Sequence, residues 1–160
     1  MTFVPLNNLK QILRLASGYT SATFTDTSNQ PHSMVDPTSA RKTGIPFFCT
    51  DGTITSAPTD ATKLFPVASS NSTISANETT ITNQVGTASA TFTIDSKGWV
   101  CNIKITATEG SEINSIYFEK YIFSASTSSY LAVLFAVKLD NTVTVDSTGE
   151  ANFTFAIEYN

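Results

Sequence analysis

"YLAVLFAVKL", residues 130–139, is the stretch on which the fold class turns. Only Lys138 interrupts it, and apolar side chains fall at both odd and even positions. As a strand it is apolar on both faces, so it is expected at the centre of a sheet covered from both sides. "SASTSS" before it and "LDN" after it supply the breaks. Downstream, "ANFTFAIEYN" alternates without a miss: Phe153, Phe155, Ile157 and Tyr159 against Asn152, Thr154, Ala156, Glu158 and Asn160. That pattern predicts a half-buried last strand, apolar side inward, running opposite residues 130–139 and closing the domain.

Working back towards the N-terminus, "ATFTI" alternates, and "WVCNIKITATEG" sets Trp99, Cys101, Ile103 and Ile105 against Val100, Asn102, Lys104 and Thr106. Strands are expected near 63–67, 72–82, 87–94, 98–108, 112–118, 130–138, 141–146 and 151–159. Short strands at regular intervals with turn-forming residues between them predict an all-β domain, an antiparallel β-sandwich of Ig-like or jelly-roll-like type.

The one helix is expected at residues 6–17, where Leu6, Leu9, Ile12, Leu13 and Ala16 recur at three and four residues. Pro5 suits its first turn and Gly18 its C-terminal cap. Its polar face carries two cations, Lys10 and Arg14, too few for a membrane-surface helix, so packing on a sheet or on another copy is expected. "YTSATFT" reads as a short strand, residues 26–44 as a long surface loop, and "IPFFCTDGTITSAPTD" as a strand, an Asp51-Gly52 turn and a return strand. The chain is therefore one domain, with residues 1–62 (helix, strand and long loop) packed on a sandwich core of residues 63–160.

Composition narrows the function classes. Charged residues are 14% of the chain, against 26 Thr and 19 Ser, with eleven Phe and five Tyr. So many aromatics with so few charges describe a folded β domain rather than a disordered chain. A net charge of −4 without a basic stripe argues against nucleic acid as a partner. No stretch approaches the eighteen or so apolar residues of a membrane span, and the N-terminus lacks the pattern of a secretory signal, so assembly in the cytoplasm is expected. The sequons at Asn71, Asn77 and Asn152 then read as chance in a Thr/Ser-rich chain.

Catalytic patterns are absent. Nucleophilic catalysis needs a base beside the nucleophile, and His32, in the Pro/Ser-rich loop, is the only histidine. Asp26, Asp36, Asp51 and Asp60 are loop acids without an EF-hand register. Cys49 and Cys101 have no CxxC spacing and read as buried free thiols. No enzyme activity, cofactor or metal is expected. The interface candidates are Leu6, Leu9, Ile12 and Leu13 on the helix, with Tyr117, Tyr121 and Tyr159 among the strand aromatics. Tyr117 and Phe118 are adjacent, so one of them faces the core and the other faces away. The helix, the 26–44 loop and the outward face of the last two strands are the expected contact surfaces.

The last third of the chain resembles bacteriophage tail-fibre, collar and baseplate-associated proteins. In their pattern an "I-N-x-I-x-F" strand, here Ile113, Asn114, Ile116 and Phe118, precedes an "L-x-A-V-x-L" strand, here Leu134, Ala136, Val137 and Leu139. A short "x-V-x-V" segment (Val143, Val145) and a final "F-x-F-x-I" strand (Phe153, Phe155, Ile157) complete it. The chain departs from it at Glu119-Lys120-Tyr121, where the family carries an acidic residue and a Gly in a loop, and in stopping where fibre domains continue into a shaft. The resemblance implies a structural virion protein (tail, collar, baseplate, fibre attachment or capsid decoration). It would assemble as a homo-oligomer with other virion structural proteins, with a host-surface glycan as a further candidate partner. Two alternatives stand beside it: a chaperone–usher-like pilin or adhesin subunit, suggested by the penultimate Tyr159 and the two cysteines, and a carbohydrate-binding sandwich module.

Overall fold

The computed structural model describes residues 1–17, 21–35, 64–95, 98–123 and 129–158. In chain order the elements are β1 (Thr2–Pro5), α1 (Asn7–Ala16), β2 (Ser21–Thr25), β3 (Pro31–Val35), β4 (Phe65–Ser69), β5 (Thr87–Asp95), β6 (Gly98–Thr106), β7 (Glu112–Phe123), β8 (Ser129–Thr144) and β9 (Glu150–Glu158). The fold is the all-β antiparallel sandwich with one short helix that the strand pattern predicts. A four-stranded sheet of order β1-β8-β7-β4 packs against a three-stranded sheet of order β5-β6-β9, and β2–β3 form a separate hairpin.

Between the two sheets lies the main core. Cys101, Ile103 and Ile105 of β6 meet Ile116 and Phe118 of β7 and Val137 and Leu139 of β8, all buried. The opposite face of the four-stranded sheet is also covered. Tyr117, Val133 and Ala136 are buried there against Leu6 and Ile81, while Ala132 and Leu134 pack with Ile12 of α1 and with Ala22 and Phe24 of β2. Strand β8 is therefore central and apolar on both faces, because both faces have something to bury against.

Four differences from the sequence pattern have physical causes. Residues 72–82 form no strand: side chains of Ser69 and Asn71 bond the backbone oxygen of Thr82, satisfying locally what a ladder would otherwise pair. That loop is laid over β7 by hydrogen bonds from Asn114 to Ser70 O (2.8 Å) and from Ser115 to Asn71 O (3.0 Å). The expected strands at 130–138 and 141–146 are one strand, since β8 continues through to Thr144 against β7. Residues 31–35, inside the expected loop, are strand β3, paired with β2 from Ser21↔Val35 to Thr25↔Pro31. Pro5 ends a strand instead of opening the helix: Thr2–Pro5 pairs with Lys138–Phe135, so the N-terminus belongs to the main sheet.

β9 lies in the sheet facing residues 130–139, hydrogen-bonded to β6 from Gly98↔Glu158 to Thr106↔Glu150. The two turns that carry the chain between sheets are bonded to each other. Ala107 N donates to Gly149 O, Gly110 N to Val145 O, and Val145 N to Ser111 O. The resemblance breaks at Glu119-Lys120, and the structure places a β-bulge between Phe118 and Glu119, with β7 running on to Phe123 where a loop would be expected. The expected strands around Asp51-Gly52, the remainder of the 26–44 loop, and Cys49 lie outside the described residues.

Candidate functional site

Among the described residues the two sheets differ by one strand, and a distinctive surface goes with that difference. β4 and β5 pack together on one side of the sandwich. On the other side the four-stranded sheet ends in β1 and the three-stranded sheet ends in β9. Beyond β9 no described strand covers the inner face of β1. An apolar cleft of about 610 Å³ runs inward from there between the sheets, lined by Met1 and Phe3 from the N-terminal edge, Phe135 and Val137 from β8, Phe118 from β7, Phe155 and Ala156 from β9, and Leu64 just ahead of β4.

Its floor is a run of aromatic rings. Phe3 lies 5.1 Å from Phe135, Phe135 stacks on Phe118 at 4.6 Å, and Phe118 meets Phe155 edge-on at 6.2 Å. Such pairs lock one another's orientation and leave ring surface facing the opening. Phe3 remains 55% exposed and Met1 63% exposed. At the rim the N-terminal ammonium of Met1 pairs with the Asp140 carboxylate at 2.5 Å, both groups exposed. Leu9 of α1 closes one end.

The interface candidates divide sharply. Leu6, Ile12 and Tyr117 are buried within this chain. Burial pushes the Tyr117 hydroxyl up to about 12, reinforced by the Glu78 carboxylate to which it donates at 2.7 Å. Leu9 lines the cleft, Leu13 is 54% exposed, and Tyr121 is half-buried edge-on to Phe65 at 5.7 Å. Tyr159 lies outside the described residues. The outward face of β9 and β6 is polar, with Thr154 donating to Asn102 at 2.8 Å. Phe3, the residue most characteristic of the cleft, was not among the candidates; the only sign of it is a short β-prone run, Thr2-Phe3-Val4, ahead of the helix.

His32 is held in the β2–β3 hairpin rather than in an open loop. Its Nε2 contacts Asp26 at 2.8 Å, and its ring stacks on Tyr130 at 3.5 Å and lies 5.2 Å from Phe24. Burial alone would raise the Asp26 carboxyl, but hydrogen bonds from Gln30 N, His32 and Ser28 N hold it below its ordinary value. Among the described residues no hydroxyl or thiol hydrogen-bonds to this pair in the manner of a nucleophile, and no cluster of His, Cys, Asp and Glu has metal-binding geometry. Cys101 sits in the main core, where burial pushes its thiol up to about 11. Among the described residues no helix is long and apolar enough to cross a membrane. The cleft is the apolar opening that Met1 and Phe3 leave in contact with water. No protein-family model, curated protein or solved structure matches the chain.

Proposed function

We propose that the chain is a structural protein of a bacteriophage particle, working by assembly with other virion proteins. The observation that supports an assembly role is the open apolar cleft, where two aromatic-lined sheet edges leave Met1 and Phe3 exposed to water. Exposed apolar surface of this kind is commonly an interaction site. The virion context comes from the resemblance of residues 112–157 to phage tail and baseplate proteins. On this reading the protein performs no chemistry: its free energy of function is burial of apolar and aromatic surface.

The test is co-sedimentation with phage particles. Wild-type protein is expected to band with particles, whereas a folded Phe3→Ser variant is expected to be depleted from them at least tenfold. A chain that stays in the soluble fraction throughout infection, as a monomer by light scattering, would overturn the reading.

A further inference from the structure

We infer that Glu119 is a proton-operated latch in the four-stranded sheet: with its carboxyl protonated the Phe65 end of β4 lies closed on β7, and on ionisation that end of the ladder opens so that the carboxylate reaches water. The inference is independent of the assembly reading above.

Glu119 stands where the sequence departs from the phage pattern, yet it is only 9% exposed. Register sets it between Phe65, in the end pair of the β4–β7 ladder, and Val133 on β8, beside the bulge. Tyr117 and Tyr121, two residues away on either side, share its face of the strand, and Tyr121 meets Phe65 edge-on at 5.7 Å. The same face buries Tyr117 and Val133 with Leu6 and Ile81. The carboxyl is thus set among rings and aliphatic side chains.

The charged groups around it are engaged elsewhere or face away. Tyr117 donates its hydroxyl to Glu78 at 2.7 Å, and Glu78 also accepts from Ser75 N. Lys120 follows Glu119 and by alternation lies on the other face of β7. β4 carries no charge, and on β8 Lys138 lies past the bulge, opposite Ser115, with Asp140 farther still. On α1 Lys10 leans on Asn7 at 3.5 Å, and Arg14 stands about two turns beyond Leu6. Among the described residues none of these hydrogen-bonds to the Glu119 carboxyl, and burial is what pushes it above its ordinary 4.5.

A carboxylate held from water without a partner is unfavourable, and a proton relieves it. The stability that Glu119 contributes is therefore complete below 4.5 and is lost as pH rises through its higher folded-state value. Once ionised, the group has two neighbouring strands to part. β8 is held on both edges, by β1 and β7, whereas β4 is the edge strand of the sheet and half-buried Phe65 is its first residue. Opening at Phe65 breaks the fewer ladder bonds. Leu64, the residue before it, lines the apolar cleft, so the latch also alters one wall of that cleft.

The experiment uses the full chain, unaltered and with Glu119→Gln, which keeps the shape of the protonated carboxyl. In chemical denaturation from about pH 4 to about pH 8, the folded-to-unfolded ratio of the unaltered chain is expected to fall about tenfold or more relative to the variant. Amide hydrogen exchange, corrected for the intrinsic effect of pH, is expected to show Phe65–Ser69 and residues 119–123 losing protection over that range while β5 and β6 keep theirs. In Glu119→Gln both stretches should stay protected. Identical pH profiles for chain and variant would overturn the proposal. So would a pH-linked loss of stability with β4 protection unchanged, which would mean a buried carboxylate and no latch. Should Glu119→Gln not fold, an NMR titration of the Glu119 carboxyl in the unaltered chain decides. A midpoint at or below 4.5 overturns the proposal, and one above it that coincides with the loss of β4 protection upholds it.

Discussion

Single side chains hold the covering layer to the sheet, and Asn8 is the clearest case. It is the second residue of α1, and although polar it is buried. Its amide donates to Thr25 O at 2.8 Å and to Val133 O at 3.0 Å, and its carbonyl accepts from Thr25 N at 2.9 Å. One side chain thus ties the helix, β2 and the centre of β8. Asn8→Ala would leave these backbone groups short of partners, and a loss of about 3 kcal/mol in chemical denaturation is expected. Gly86 is a second such point. Its φ is +59°, and a Cβ there would stand 2.1 Å from Thr106 O and 2.6 Å from the Ala107 side chain. Gly86→Ala should therefore cost about 3 kcal/mol or more, through both backbone strain and a clash with the end of β6. At Asp26 the effect depends on pH. Its carboxyl is held below the ordinary 3.8, so the stability it contributes is present in full above that value and is lost as pH falls through the lower folded-state value. Thermal unfolding followed from about pH 5 to pH 2 should show a fall that Asp26→Asn flattens.

At the scale of elements, legibility followed from where a strand's apolar residues go. β8 could be read because both of its faces are covered, and β6 and β9 because one face is. Cys101, Ile103 and Ile105 are buried while Asn102, Lys104 and Thr106 are exposed. Helix α1 was visible in its spacing, and Leu6 and Ile12 do fill the covering layer. Leu6→Ala is expected to cost about 2–5 kcal/mol, as for other fully enclosed aliphatic side chains, measured by denaturant unfolding. Residues 72–82 misled because their apolar members, Ile74 and Ile81, face the core from a loop whose shape is set by Asn and Ser side chains. β1 and β3 were hidden for a different reason. Four or five residues carry too little period to register, and each exists because a neighbour offers a ladder: β8 for β1, β2 for β3. The cleft followed them into obscurity. Its aromatic floor was legible residue by residue, but which edges of the two sheets face each other is a fact about topology that no local pattern carries.

For the whole molecule, the question is how a chain with a net charge of −4 and a hydroxyl-rich surface keeps an apolar opening in water. Among the described residues the outer face of the β5-β6-β9 sheet is mostly exposed Ser, Thr, Asn and Lys, and of the three large apolar side chains most exposed, Met1 and Phe3 lie at the cleft and Leu13 on α1. Burying Met1 and Phe3 together would cover two neighbouring apolar side chains at once, a gain that a polar sheet face does not offer. The folded chain should therefore raise the fluorescence of an environment-sensitive apolar dye while its near-UV circular dichroism stays native, a combination that separates an exposed cleft from a loosened core. Phe3→Ser should remove most of that signal without moving the thermal midpoint by more than a few degrees, because Phe3 is half in solvent already and buries little on folding. A folded protein that leaves the dye dark would mean that the opening is filled in solution, and the assembly role would then have to be sought on another surface.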